Sequence, residues 1–255
     1  MCAPLWYSFY CHHFSFRRAI IIQPRNADCC SSNLFAIHKC GKSSQLCYGV
    51  SWTDDNRILC ALNQQIEVRR GTDLQLDKTI RFAEGHKVYS GTLVSGRLYT
   101  KCQSCNEKKY MTYSGSLDEP TQTVLHSEED EDPTYITHIS ANKEYVASLD
   151  LVNKTLKVFS WINNEHLFDI MLTSIQQPYG VHLTCDGVLV ADLTGGKLSK
   201  YSLSPSAEPI WTCNGLHQEP TGITTDESGF IYVTSSNTPI IHLVSPKGQH
   251  CLEDW

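Results

Sequence analysis

A phrase that occurs twice in the second half of the chain decides the fold. Residues 178–192 read PYGVHLTCDGVLVAD, and residues 220–235 read PTGITTDESGFIYVTS. The first glycines of the two phrases, Gly180 and Gly222, lie 42 residues apart, and a second glycine follows seven residues after each of them. A period of about 40 residues that carries several short apolar runs is typical of propeller blades built from four strands.

The period continues towards the N-terminus in weaker copies. Units open near Gly49, Gly91 and Ile136, and one further step back reaches Trp6, where the copy is most degenerate. The six units, opening near residues 6, 49, 91, 136, 180 and 222, fill residues 1–255 as one domain. We therefore predict an all-β fold, a six-bladed β-propeller of four-stranded antiparallel blades whose first blade is degenerate or incomplete.

Each part of the phrase has a physical reason. A proline fixes φ where the chain enters the innermost strand, and the glycine two positions later allows a close approach that a side chain would block. Asp186-Gly187 has the length and composition of a hairpin turn between two strands. The run that follows, residues 188–190, is wholly apolar, as expected for an inner strand that neighbouring blades cover on both faces.

These phrases resemble the NHL repeat, whose pattern runs proline-x-glycine, aspartate-x-glycine, an apolar run, aspartate, asparagine and isoleucine-x-valine-phenylalanine. The residues that carry the resemblance are Pro178-Tyr-Gly180, Asp186-Gly187, Asp192 and the stretch from Asp150 through Asn153 to Phe159. The match is good over residues 133–250, fair over 45–132 and poor before that.

The resemblance implies a six-bladed propeller that serves as an interaction module. Such modules often end tripartite-motif ubiquitin ligases, and some bind single-stranded RNA on one face. The chain shows no paired-cysteine RING or B-box segment and no coiled-coil heptads, so ligase activity is not implied.

In such a propeller the loop that enters each inner strand and the turn after the second strand lie on the same face. By this register, the position before the residue that opens each unit reads Tyr48, Ser90, Tyr135, Tyr179 and Thr221. Tyrosines suit protein interfaces and base stacking alike, although each of them can instead pack against the neighbouring blade. The predicted partner-binding face consists of Tyr48, Tyr135, Tyr179, Thr221, Asn63, Lys101, Lys154 and Asn237.

Charge helps to choose the partner. The net charge is −6, and residues 128–132 hold five consecutive acids. Phosphate backbones are attracted by clustered lysine and arginine, so the whole-molecule field favours a protein partner over RNA. We predict a non-catalytic platform that binds a protein, with single-stranded RNA binding on the same face as the alternative.

A third hypothesis comes from a different class of function. Some six-bladed propellers are metal-dependent lactonase-like hydrolases, and Asp150, Asn153 and Asp192 are the candidate ligands for such a metal. Carboxylates at these positions also commonly bond to nearby backbone amides and hold a turn. No glutamate is found at a matching inner position, and the histidines form no recognised catalytic motif. The sequence therefore predicts no enzyme activity and no cofactor.

The chain has 12 cysteines, seven of them before residue 61. Cys102 and Cys105 have the spacing of half a zinc knuckle, but a zinc site of this kind needs a second pair at regular separation. Reduced, structural thiols are the preferred interpretation. The N-terminus has no basic region before an apolar stretch, and no run approaches the length of a membrane helix. We predict a cytoplasmic monomer that does not interact with membranes.

Overall fold

The computed structural model describes residues 20–24, 35–39, 47–53, 55–104, 106, 109–117, 122–129, 138–205, 208–216, 219–236 and 241–251. Within these residues the chain forms 22 strands, which pair into five four-stranded antiparallel sheets and one two-stranded sheet. None of the described residues belongs to a helix with the length and apolar character needed to cross a membrane.

Each four-stranded sheet is a blade in which strands consecutive in sequence lie side by side. Blade 1 contains β3 (Cys47–Trp52), β4 (Arg57–Leu62), β5 (Gln65–Arg70) and β6 (Leu76–Arg81). Blade 2 contains β7 (His86–Val94), β8 (Arg97–Ser104), β9 (Lys109–Ser116) and β10 (Gln122–Glu129). Blade 3 contains β11 (Ile139–Ala141), β12 (Tyr145–Asp150), β13 (Thr155–Ser160) and β14 (His166–Met171). Blade 4 contains β15 (Pro178–Leu183), β16 (Val188–Asp192), β17 (Lys197–Tyr201) and β18 (Trp211–Cys213). Blade 5 contains β19 (Pro220–Thr225), β20 (Ile231–Ser235), β21 (Ile241–Val244) and β22 (His250–Cys251).

The blades are arranged as a β-propeller, with the first strand of each blade beside the first strand of the next. Serine side chains link these strands: the hydroxyl of Ser51 donates to the carbonyl of Gly91 over 2.6 Å, and the hydroxyl of Ser140 accepts from the amide of Leu183 over 3.0 Å. These contacts join residues 40 and 43 positions apart, close to the sequence period. The repeat therefore corresponds to one blade.

The hydrophobic core lies between the blades. The cluster between blades 3 and 4 includes Leu149, Val158, Val181 and Val190, and similar clusters fill the neighbouring interfaces. All five residues of β16 are buried, as predicted for an inner strand that is covered on both faces. Much of the outer strand β14 is exposed.

The prediction of six blades is wrong, because the residues that the structure describes form five. β1 (Ile20–Pro24) and β2 (Phe35–Lys39) pair with each other, and no other described strand pairs with them. The part of the chain before Cys47 contains strand-forming runs but no proline-x-glycine step and no aspartate-glycine or serine-glycine turn. The sixth unit was counted from the period alone, without the turn residues that would divide it into four strands.

Two edges of the propeller concern function. We call the edge where first strands begin and second strands end the tyrosine face; the pairs Pro178↔Asp192 and Pro220↔Ser235 lie there. The edge with the hairpin turns between first and second strands, such as residues 184–187, is the opposite face.

Candidate functional site

The repeat position on the tyrosine face is a β-bulge in four blades. Tyr48 interrupts the pairing of β3 with β4, and Tyr89 interrupts that of β7 with β8. The bulges of blades 4 and 5 fall at Tyr179-Gly180 and Thr221-Gly222. A bulge redirects the side chain of the extra residue and bends the strand. In blade 2 the bulged residue is therefore Tyr89, one position before the Ser90 of the sequence register.

The tyrosines form a cluster beneath this face. The rings of Tyr48 and Tyr89 meet edge to face with centroids 5.4 Å apart, and those of Tyr89 and Tyr110 lie 6.2 Å apart. The Tyr89 hydroxyl donates to Gln103 over 2.6 Å. Tyr179 belongs to the same cluster and packs on His138, with ring centroids 4.7 Å apart.

Burial separates the members of this cluster. Tyr179 is only 5% exposed, and Tyr89 and Tyr110 are buried as well. Tyr48 is half-buried, and its burial raises the pKa of its hydroxyl. Of these four tyrosines, Tyr48 alone is therefore partly accessible, and the other three are enclosed. Tyr135 lies outside the described residues.

The remaining predicted contact residues divide in the same way. Thr221 and Lys101 are each 0% exposed, so neither offers surface to a partner. Asn63 and Lys154 are exposed in the turns after β4 and β12, and the Lys154 ammonium donates to the carbonyl of Gln176 over 2.9 Å. Asn237 lies outside the described residues. Val152, which the sequence reading overlooked, is 53% exposed in the same turn as Lys154.

Lys101 is the centre of a buried polar network between blades 2 and 3. Its ammonium forms an ion pair with Glu128 and lies 3.3 Å from the hydroxyl of Ser148, which is 2.7 Å from that of Thr112. The second oxygen of Glu128 accepts from the amide of Leu151 over 3.1 Å. Burial raises the pKa of Glu128 to about 7 although Lys101 lies beside it. The network joins the two blades.

Asp150 is the first candidate metal ligand. Its carboxylate accepts from the amide of Asn153 over 2.9 Å and from the Asn153 side chain over 3.0 Å. His126 and Lys157 approach it to 3.6 and 3.7 Å. Burial alone would raise the pKa of Asp150, but its contacts with His126, Glu128 and Asn153 hold the pKa well below its usual value. Asp150 and Asn153 thus bond to each other and close the turn after β12.

Asp192 occupies the equivalent position in blade 4. Its two oxygens accept from the amides of Gln176, Gln177 and Gly195 over 3.0 to 3.1 Å, and the side chain is buried. The carboxylate thereby ties the connection from blade 3 to the turn after β16. Within the described ranges, no three His, Cys, Asp or Glu side chains are placed to hold a metal ion.

The cysteine pair is described only in part. Cys102 is buried in the core between blades 1 and 2, and burial raises the pKa of its thiol to about 12. Cys105 lies outside the described residues.

The opposite face carries a groove that the sequence analysis missed. Its volume is about 590 Å³, and the hairpin turns of blades 3, 4 and 5 line it. Pro246 is its exposed apolar residue, with Leu183, Leu189 and Ile231 behind it, and carboxylates surround them. One sequence signal was available, because Asp186 and Asp226 fall 40 residues apart in equivalent hairpin turns.

The comparisons with known proteins support the fold. No family model matches the sequence, and no curated protein matches it.

Solved structures are similar in shape. A chain in a nidogen–laminin complex matches with a TM-score of 0.70 and 11% identity, over 95% of this chain and 89% of that chain. A Bacteroides caccae protein of unknown function matches with a TM-score of 0.65 and 12% identity, over 97% and 92% of the two chains. A luciferin-regenerating enzyme matches with a TM-score of 0.62 and 13% identity, over 80% and 74%. The chain folds as a β-propeller. At these identities the likeness concerns the fold alone.

Proposed function

We propose that this propeller is a non-catalytic platform that binds a protein partner through its tyrosine face. The described contact residues are Tyr48, Asn63, Val152 and Lys154, which lie on blades 1 and 3. Tyr135 and Asn237 are assigned to the same face from the sequence. A half-buried aromatic side chain, an exposed aliphatic side chain and polar neighbours match the composition of protein interfaces.

The burial of Lys101 carries the choice of a protein over RNA. RNA binding needs lysines and arginines on the surface to meet phosphates. Lys101 instead is fully enclosed with Glu128. Lys197, also on this face, lies 3.7 Å from Asp192 and 3.3 Å from the carbonyl of Ser174. The ammonium groups of Lys101 and Lys197 are thus engaged in internal contacts, and the net charge of the chain is −6.

Two further observations support a platform of this kind. One of the similar structures is of a nidogen–laminin complex, an assembly of proteins. The carboxylates considered for catalysis, Asp150 and Asp192, are bonded to turn amides. We include in the proposal that the propeller is of the NHL type, because the phrases that resemble the NHL repeat coincide with the bulges of blades 4 and 5. The proposal keeps the sequence-based prediction of a cytoplasmic monomer.

Two matched variants of blade 3 test the proposal. Val152 and Ile162 are both exposed aliphatic residues in hairpin turns of this blade, the first on the tyrosine face and the second on the opposite face. Tagged protein is purified from a cell lysate, and the proteins that accompany it are quantified by mass spectrometry. We expect Val152→Asp and Tyr48→Ala to remove a set of partners that Ile162→Asp retains.

The same experiment contains its contrary outcomes. If Ile162→Asp removes the set and Val152→Asp retains it, the tyrosine face is not the binding face. If ribonuclease treatment of the lysate removes the set, the platform binds RNA and the choice of a protein is wrong.

A further inference from the structure

The groove on the opposite face is an open cleft among three blades. It lies where the turn at residues 142–144 of blade 3 meets those at 184–186 of blade 4 and 225–229 of blade 5, and Pro246 also lines it. Its volume of about 590 Å³ is within the usual range for sites that hold a small molecule or a few side chains. Three rigid blades build it, and the hydrogen bond from the Asn142 side chain to the carbonyl of Thr184, at 3.1 Å, joins two of them.

The lining of the groove has an apolar part and an acidic part. Pro246 is the exposed apolar residue of the lining, and the core residues Leu183, Leu189 and Ile231, each 5% exposed or less, lie behind it. Carboxylates come from all three blades, namely Glu144, Asp186, Asp226 and Glu227. Two lysines, Lys143 and Lys200, also line the groove. Its described lining residues therefore carry a net charge of −2.

The four carboxylates of the lining differ in their hydrogen bonds and ion pairs within the protein. Lys200 donates to both oxygens of Asp186 over 2.7 Å. Asp226 accepts from the amide of Phe230 over 2.9 Å and from the Tyr232 hydroxyl over 3.2 Å. Glu144 and Glu227 are both exposed. Because Lys200 neutralises Asp186 at one wall, the negative potential is concentrated where Asp226 and Glu227 adjoin the apolar part.

We propose that the groove binds an arginine-bearing extended segment of a protein partner, a second contact beyond the tyrosine face. An arginine side chain has an aliphatic stem, which suits the exposed ring of Pro246, and a guanidinium group, which pairs with carboxylates through two parallel hydrogen bonds. An apolar residue beside the arginine fills the rest of the volume. The negative charge of the lining repels nucleic acid and acidic peptides.

The test is a fluorescence-anisotropy titration of the full chain with three labelled hexapeptides in which leucine alternates with arginine, lysine or glutamate. We expect the arginine peptide to bind more tightly than the lysine peptide, because lysine lacks the planar fork, and the glutamate peptide to bind at least about tenfold more weakly than the arginine peptide. Affinity for the arginine peptide falls as salt is added, since its charges are exposed. Equal affinities for the arginine and glutamate peptides would overturn the proposal.

Variants locate the site. Glu144→Gln and Glu227→Gln are each expected to weaken arginine-peptide binding roughly two- to fivefold, the effect of one exposed ion pair. Glu165→Gln is the matched control, because Glu165 is an exposed acid in the hairpin turn between β13 and β14 and does not line the groove. Ser228→Trp fills the groove, and we expect it to abolish binding while the melting temperature stays unchanged. If Glu165→Gln weakens binding as much as the groove variants, the site is elsewhere.

Two further arms separate this proposal from its competitors. Val152→Asp alters the tyrosine face and is expected to leave peptide affinity unchanged, so the platform proposal and the groove proposal fail independently. A labelled oligothymidine that binds the wild-type chain and is displaced by the arginine peptide would show that the groove accepts nucleic acid, which contradicts its assignment to a protein segment.

Discussion

Gly180 packs directly against the backbone carbonyl of Thr221, so that a β-carbon at position 180 would overlap that oxygen. The contact joins the first strands of blades 4 and 5 at their bulges. We expect Gly180→Ala to lower the free energy of unfolding by about 1–3 kcal/mol or more, because neither backbone can move without disturbing its blade. Urea unfolding followed by circular dichroism measures the loss.

Gly91→Ala is the control for this prediction. A β-carbon at position 91 meets the terminal carbon of the Ile66 side chain at 2.8 Å, and that side chain can adjust its rotamer. The loss is therefore expected to be smaller than for Gly180→Ala. Equal losses in the free energy of unfolding would contradict the view that the backbone contact between blades 4 and 5 tolerates a β-carbon less well than the side-chain contact at Gly91.

The buried ion pair between blades 2 and 3 gives a second prediction. Lys101→Met leaves Glu128 buried without its cation, which typically costs about 3–5 kcal/mol. The double variant with Glu128→Leu removes both charges and is expected to recover much of this loss. A Lys101→Met protein that unfolds at the wild-type urea concentration would show that the pair is not enclosed as described.

Glu128 and His182 predict opposing pH dependences. The pKa of Glu128 rises from 4.5 to about 7 on burial, so across this range the folded state holds a proton that the unfolded chain releases, and stability falls as pH rises. Burial lowers the pKa of His182 from 6.5 to about 4, so across that range the unfolded chain holds the extra proton, and stability rises with pH.

The two contributions can be separated by substitution. Between about pH 4.5 and 6.5, Glu128→Gln is expected to make stability rise with pH more steeply than in the wild type, and His182→Gln is expected to make it fall more steeply. Urea unfolding at half-unit pH intervals gives the three profiles. Parallel profiles would show that neither group is perturbed by the fold.

Asp192 and Asp186 form a matched pair of aspartates in blade 4. The buried Asp192 carboxylate accepts from three backbone amides, whereas the Asp186 side chain is 67% exposed and pairs with Lys200. We expect Asp192→Ala to lower the free energy of unfolding by about 1.5–3 kcal/mol or more, and Asp186→Ala by less than about 1 kcal/mol. Thermal unfolding monitored by circular dichroism compares them. Similar losses would mean that Asp192 does not hold the connection from blade 3.

Cysteine reactivity provides a further test. Cys185 is exposed beside the groove, whereas Cys60, Cys102 and Cys213 are buried. In a short pulse of iodoacetamide followed by peptide mapping, we expect Cys185 to be alkylated at least about tenfold faster than these three, because burial hinders formation of the thiolate. In urea the difference is expected to disappear. Alkylation of Cys102 in the native state at the rate of Cys185 would contradict its burial.

The sequence predicted the later blades better than the first segment for a definable reason. The step from Pro178 to Gly180 and the turn at Asp186-Gly187 specify where strands begin and reverse, so the register of blade 4 could be read directly. Before Cys47 the apolar runs lack such turn residues, and the period alone led to one blade too many. In blade 2 no proline precedes Gly91, and the sequence register placed the equivalent position at Ser90, one residue after the bulge at Tyr89.

The sequence alone determined the repeating unit. Turn residues and apolar periodicity act over a few residues, so they can be recognised in one amino-acid sequence. Which side chains reach the surface was decided only by the tertiary structure. The sequence predicted Tyr179 and Lys101 as contact residues, yet both are buried. Their burial depends on residues of the neighbouring blades, which lie about one repeat period away in the chain. The groove among blades 3, 4 and 5 likewise exists only because hairpin turns about 40 residues apart are brought to one edge.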